Sequence, residues 1–423
     1  MERGPLLKAE LHVHLDGSIR PSTFLELVAA MPDDDDDDEE DDGGGGPRSE
    51  LRSAFRTPAD IAASLCFQPG WDLPRCLRSF ASTLRVMQSA AALERIAYEL
   101  CADLAADGVW YAEIRYCPSL HRAAGLPDEA IVAAVGRGLQ RASAELSATG
   151  WGAVVGEGEG VGGEAGRRTV RCRFYQLLTI LRDLGPDEAM VVAQLAVRSS
   201  ATGGGDGDGA GGAGGAGGDA ADALRVVGID LAGNEHAHPP ELFVAAFEAA
   251  HATGTLGITV HAGEAGGGGD GDGGKGAALE AAAAANIVTA VERLHATRIG
   301  HGVAAASDAA VMALLRERGV TVEVCPTSNV HTGAVRCCAE HPAARFLRSG
   351  IAIVPCADNT LLSATSTGRE YEVLMRGGGT ADGGGGGGGA NAPLTRAEAE
   401  LVAATSAASG FAVSRGRGTA RAR

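Results

Sequence analysis

The chain has 423 residues, 45% of them apolar and 21% charged, enough to bury one large core or two modest ones. A net charge of −18 excludes the basic field that a nucleic-acid or acidic-membrane partner requires, and favours small, neutral or weakly charged ligands. No apolar run reaches the roughly 18 residues needed to span a bilayer, and no signal-peptide pattern precedes the first element, so the expected compartment is the cytoplasm. The nine cysteines, an odd number without a CxxC pair, read as thiols rather than a disulfide framework, the neighbours Cys337 and Cys338 included.

Short β-branched runs alternate with longer Ala/Leu-rich helical runs, the pattern of βαβ units around a parallel sheet. The first candidate strand, "AELHVH" at 9–14, ends in two histidines separated by one apolar residue. An acidic-then-glycine stretch at 33–47 follows, read as a solvated loop without a function of its own. The run "LERIAYELCADLAADG" at 93–108 carries apolar residues at helical spacing and stops at Gly108, ahead of the second strand, "VWYAEIRY" at 109–116. A Gly-rich insert at 155–166 leads to "TVRCRFY" at 169–175, and another at 203–219 to "VVGIDLAG" at 226–233. "GITVHAGE" at 257–264 runs into a third such insert at 266–276, then come "RIGHG" at 298–302, the helix "DAAVMALLRERG" at 308–319 and "TVEVCPTS" at 321–328. The eighth strand, "IAIVPCAD" at 351–358, contains Pro355, awkward for a central strand. A last Gly-rich insert spans 377–390, and the basic end 411–423 reads as a disordered tail, which leaves one domain over 1–410.

Eight strands alternating with helices are the count of an α/β fold of the (β/α)8 barrel type, whose sites lie at the C-terminal ends of the strands. Polar residues gather there: His12 and His14 end the first strand, His261 and Glu264 the fifth, His301 the sixth and Asp358 the eighth. Residues two apart on a strand project to the same side, so His12 and His14 can approach one ion. Three imidazoles and a carboxylate suit Zn2+, which accepts neutral nitrogen and carboxylate oxygen while keeping a position open for water. The other histidines, His121, His236, His238, His251, His295, His331 and His341, are read as structural or surface residues. The Gly-rich run before Lys275 is no phosphate loop, because Gly276 stands where a Ser or Thr is required.

In this order, "ELHVHLDGSIRPSTFLEL", "VWYAEIRYCPSLH", "VVGIDLAGNE", "ITVHAGEA", "RIGHGV" and "CADN" resemble the adenosine deaminase family of zinc barrel enzymes over nearly the whole chain outside the inserts. The HxE and PCxxC signature of cytidine-type deaminases is absent. The resemblance implies that His12, His14, His261 and Asp358 bind one zinc ion, that Glu264 holds a proton for purine N1, and that His301 takes or orients the proton of the attacking water. It further implies that Asp16 meets the ribose 5′-hydroxyl and that the Gly233 backbone N–H donates to purine N3. The implied reaction is hydrolytic deamination of adenosine and 2′-deoxyadenosine to inosine and deoxyinosine, with a small-molecule purine nucleoside as partner and no nucleic acid or membrane.

Two features depart from the family pattern. Many members have a second aspartate after the metal-binding one, whereas here Asn359 follows Asp358; its amide can donate to purine N7 without titrating. The insert at 266–276 also follows Glu264 almost at once, at the mouth of the expected site. Alternatives are a sibling deaminase acting on adenine, AMP or an N6-substituted adenylate, and a catalytically silent barrel that binds a ligand.

Overall fold

Eight parallel strands follow one another around the sheet in chain order: β1 (Lys8–His14), β2 (Val109–Tyr116), β3 (Arg173–Leu181), β4 (Val226–Ala232), β5 (Gly257–Ala262), β6 (Arg298–His301), β7 (Thr321–Val324) and β8 (Ile353–Pro355). The computed structural model describes residues 6–31, 47–68, 71, 73–148, 171–201, 225–264, 273–376 and 391–415. The sheet closes on itself between β8 and β1, where Val13 bridges to Asp358. There the His14 N–H donates to the Asp358 carbonyl at 2.7 Å and the Asp358 N–H to the His12 carbonyl at 2.9 Å. The result is the (β/α)8 barrel expected from the alternation of elements.

The intervening helices begin and end where local chemistry dictates. Ser89 caps the helix Ala90–Ala106, whose apolar residues, among them Leu93, Ile96, Leu100 and Leu104, are buried. Asp308 accepts from the Ala310 N–H at 2.8 Å and caps Ala309–Arg318, which ends at Gly319 in the left-handed region. Between β1 and β2 the chain inserts the helices Pro21–Ala30, Pro47–Ala54, Pro58–Ser64 and Leu73–Arg85 ahead of Ala90–Ala106. Among the described residues no helix is long and apolar enough to cross a membrane.

Four sequence expectations are corrected. The third strand lies at Arg173–Leu181 rather than 169–175, because the largely apolar run "LLTIL", broken only by Thr179, suits a strand buried on both faces. The seventh strand stops at Val324, and Pro326–His331 forms a helix with proline in its first turn. The insert assigned to 266–276 gives way to a helix from Gly273 to Glu292. The end assigned as a tail from 411 starts as the helix Phe411–Arg415, and Phe411 is buried. Its ring lies over the Arg298 guanidinium at 3.6 Å, against Gly228 and Gly257 at the N-terminal end of the barrel. The inserts 155–166, 203–219 and 377–390, and residues 33–46, 266–272 and 416–423 of the other segments, lie outside the described residues. Pro355 is accommodated as the last residue of β8, opposite Val324, and Cys356 supplies the next N–H to the ladder.

Candidate metal and catalytic site

The ends of β1, β5, β6 and β8 bring His12, His14, His261, His301 and Asp358 together. The ligand atoms of His12, His14 and His261 lie within 4.8 Å of one another, as do those of His12, His301 and Asp358. His14 Nε2 stands 3.2 Å from His261 Nε2 and 3.5 Å from Asp358 Oδ1, which is also 3.7 Å from His12 Nε2. His12 Nδ1 donates to Glu323 at 2.8 Å and His261 Nδ1 to Asp230 at 3.0 Å, so both rings aim an Nε2 lone pair at the same point. His12 Nε2 is buried with no hydrogen-bond partner. An orphaned buried nitrogen facing further imidazoles and a carboxylate is a donor set for a cation, and nitrogen and oxygen donors in this mixture fit zinc.

Burial holds His12 and His14 well below the usual imidazole range, which keeps them in the neutral form a metal needs. His261 differs: burial lowers it, but the Asp230 carboxylate outweighs burial and the net shift is upward. Two of the converging residues carry strained backbone. Asp358 has φ 60° and His301 φ 63°, the left-handed region that side chains avoid at a cost of about 1–3 kcal/mol each. The hydrogen bonds that close the barrel hold Asp358 in that conformation. Gly300 permits the approach on the other side, since a Cβ there would stand 2.8 Å from His12 Cε1.

Glu264 Oε2 lies 3.6 Å from His301 Nε2. Burial, reinforced by the Glu235 carboxylate and opposed by His261, raises Glu264 to about 7, so the group can carry a proton at neutral pH. Burial lowers His301 to about 4. The tautomer of His301 is set from behind by hydrogen bonds that run in one direction. The Ala343 backbone N–H donates to His341 Nδ1 at 3.2 Å, His341 Nε2 donates to Asn329 Oδ1 at 3.1 Å, and Asn329 Nδ2 donates to His301 Nδ1 at 3.0 Å. Because a backbone amide can only donate, the chain leaves the His301 proton on Nε2, facing the cavity.

A layer of buried charge surrounds these residues. Arg115 donates to Asp230 at 3.2 Å and to Glu323 at 2.8 Å, and Arg298 bridges Glu323 at 2.6 Å and Glu113 at 2.7 Å. Arg182 donates to the His261 carbonyl at 2.8 Å. Sequence reasoning missed Asp230, Glu323, Arg115, Asn329 and His341. For the first three a signal existed: a charge inside "VVGIDLA", "TVEV" or "AEIRY" must be buried once the run is a barrel strand, and a buried charge needs a partner. Asn329 carried no such signal. His341 and His121, both read as structural, each bond to a residue of the site or to its support.

The other expected residues line one cavity of about 330 Å³ beside the histidines, in the size range of small-molecule sites. Asp16, Gly233 and Asn359 face it together with His14, Glu264 and His301, and the segment between β1 and β2 adds the apolar wall of Phe67, Phe80 and Leu84. Among the described residues that line it there is no lysine or arginine. Gly233 has φ 103°, and a Cβ there would meet the Asp183 carboxylate at 2.5 Å. Glycine is therefore required where backbone reaches the cavity.

A family model for adenosine deaminase matches residues 52–155 and 276–383. The chain is 34% identical over 375 residues to the adenosine deaminase of Mycobacterium sp. (strain KMS), covering 86% of this chain and 82% of that one. Among solved structures, the Arabidopsis N6-mAMP deaminase matches with a TM-score of 0.64 and 21% identity over 96% of this chain and 93% of its own. An amidohydrolase from Burkholderia ambifaria with bound Zn matches with a TM-score of 0.65 and 22% identity over 96% and 86%. At these identities the structural likeness establishes the barrel, and the closer sequence match carries the relationship.

Proposed function

The chain belongs to the adenosine deaminase family of hydrolytic deaminases, and on that premise we propose that it converts adenosine and 2′-deoxyadenosine to inosine and deoxyinosine with release of ammonia. His12, His14, His261 and Asp358 would hold one zinc ion. Bound there, zinc would supply the acidity that makes water a nucleophile at neutral pH.

The chain's own residues account for the rest. Glu264, its proton kept by burial, donates to purine N1, which draws electrons away from C6 as the ring loses aromaticity there. His301 presents Nε2–H to the same region and orients the attacking oxygen; the Asn329 bond at Nδ1 supports donation over proton uptake. Asp358, with its backbone locked against β1, directs a second acceptor to that oxygen. Asn359 is proposed to donate to purine N7 and the Gly233 N–H to N3, with Asp16 accepting from the sugar 5′-hydroxyl. The apolar wall of Phe67, Phe80 and Leu84 excludes water from the face of the base.

The observation that carries this reading is the convergence of the metal-donor cluster, Glu264 and His301 on a single cavity. Its lining supports a nucleoside over a nucleotide, because a phosphate dianion would meet carboxylates and, among the described lining residues, no lysine or arginine. Seven buried thiols, free of disulfides, support the cytoplasm as the compartment. The test is the ultraviolet change of zinc-loaded protein with adenosine, 2′-deoxyadenosine, adenine, AMP and N6-methyl-AMP. Turnover of the two nucleosides alone, reduced about 10²- to 10⁴-fold in Glu264→Gln with metal retained, is the expected result. Turnover of AMP or its N6-methyl form instead would reassign the substrate, and silence on all five with zinc bound would point to a binding role.

A further inference from the structure

His121 is wholly buried and sits behind the cavity wall, outside the set of residues that line it. It ends the short helical turn Pro118–His121 that follows β2. Its Nδ1 is 3.0 Å from the Met87 carbonyl oxygen, and its Nε2 is 3.0 Å from Asp16 Oδ1. A carbonyl accepts and never donates, so Nδ1 carries a proton toward Met87; a carboxylate likewise only accepts, so the bond to Asp16 places a second proton on Nε2 and the ring holds Asp16 with both nitrogens protonated. The ring is thereby fixed by a backbone group on one side while its other nitrogen bonds the carboxylate that faces the cavity.

We infer that His121 is a positioning residue for sugar recognition: it holds Asp16 through Oδ1 so that the other carboxylate oxygen is presented to the 5′-hydroxyl of a nucleoside. The inference rests on the proposed nucleoside reading of this site. Asp16 has reason to need the support. It follows β1 in the single turn Leu15–Gly17, directly after His14, and no hydrogen bond from its own turn fixes the carboxylate. A free carboxylate rotor would lose entropy on meeting each ligand, and could turn its oxygens away from the hydroxyl. His121 removes that freedom before the ligand arrives without taking up cavity space, because the imidazole is buried and is not among the residues that line the cavity. The bond also makes Asp16 a selective acceptor. With one oxygen saturated, the remaining one suits a single hydroxyl donor and offers nothing to a 5′-phosphate, which brings only acceptors.

The experiment measures kcat and KM of zinc-loaded His121→Leu, His121→Gln, Asp16→Ala and the double variant His121→Leu/Asp16→Ala. The substrates are adenosine and 5′-deoxyadenosine, which lacks only the hydroxyl at issue, and zinc content and thermal unfolding of each variant are recorded alongside. A hydrogen bond to a charged group corresponds to about tenfold or more in affinity. The expected result is a fall of about tenfold in kcat/KM for adenosine in His121→Leu, carried by KM, with 5′-deoxyadenosine changed less than about threefold. His121→Gln, whose amide N–H can replace Nε2–H, should recover most of the loss, and the double variant should be no worse on adenosine than Asp16→Ala alone. Equal losses on both substrates, or losses in kcat rather than KM, would overturn the inference and make His121 a structural residue. Additive losses in the double variant would overturn it by showing that His121 does not act through Asp16. If Asp16→Ala itself leaves the preference for adenosine over 5′-deoxyadenosine intact, the assignment of Asp16 to the sugar fails first, and the inference falls with it.

Discussion

Glu323 is the residue on which the metal cluster and the buried charge layer both depend, and Glu323→Gln tests that dependence. One carboxylate oxygen accepts from His12 Nδ1 and Arg115, both at 2.8 Å; the other accepts from Arg298 at 2.6 Å and from Thr259 Oγ1 at 3.0 Å. Glutamine keeps one acceptor oxygen, so its NH2 must face one of these donor pairs. Arg298 retains Glu113 and Arg115 retains Asp230, so either arginine keeps one carboxylate, and the orientation that tests the His12 tautomer is the one in which the oxygen stays with Arg298 and Thr259. In that orientation an amide N–H points at His12 Nδ1, which favours the tautomer with the proton on Nε2 and closes the lone pair that the metal needs. Loss of such a supporting bond typically lowers metal affinity about 10- to 100-fold. Leaving a buried guanidinium short of its carboxylate costs about 3–5 kcal/mol of folding free energy. The assay is twofold: competition for zinc against a chromogenic chelator, and urea unfolding of the metal-free proteins. Zinc affinity within twofold of the parent, with an unchanged unfolding midpoint, would refute the argument that Glu323 sets the His12 tautomer and balances the arginines.

Chelation of the metal should abolish deamination and lower the unfolding temperature, and added zinc should restore both; at free zinc a hundredfold above Kd the restored stability is about 2.7 kcal/mol. Phe411→Ala should cost about 3–5 kcal/mol in urea unfolding, because it empties a buried ring site beneath the barrel and exposes the Arg298 face, whereas an end without anchorage would give no change. Glu398, paired with Arg348 at 3.0 Å and bonded to the Thr395 N–H at 2.8 Å, is held at about 2 against an ordinary 4.5, by Arg348 first and then by the helix cap. A depressed carboxyl contributes stability that is present above its unfolded value and is lost as pH falls through the folded one. Glu398→Gln should therefore cost up to about 1 kcal/mol at pH 7, given partial exposure of the pair, and the difference should shrink as pH is lowered from 4.5 towards 2.

The sequence by itself determined the barrel and picked out the strand-end residues that converge as candidate metal donors, because both are written in local patterns. Alternation of strand and helix needs only the periodicity of neighbouring side chains, and His12 and His14 share a side of β1 by the two-residue repeat of any strand. What lay beyond reach is non-local. Glu323 stands 311 residues from its partner His12, and no spacing rule connects them until the barrel closes β7 against its own interior. The same holds for His121 and Asp16, 105 residues apart, and for the relay from Ala343 through His341 and Asn329 that sets the His301 tautomer. The shift of β3 has a related cause: a strand covered on both faces loses the alternation that marks its boundaries, and its register is decided by the pairing of Tyr111 with Arg173 and of Gln176 with Val226. Phe411 was unreadable because its surroundings, Arg298, Gly228 and Gly257, come from three other strands. Donor chemistry is a property of the residue and can be read along the chain. Its protonation state and its supporting partners are properties of the space around it, which only the folded barrel creates.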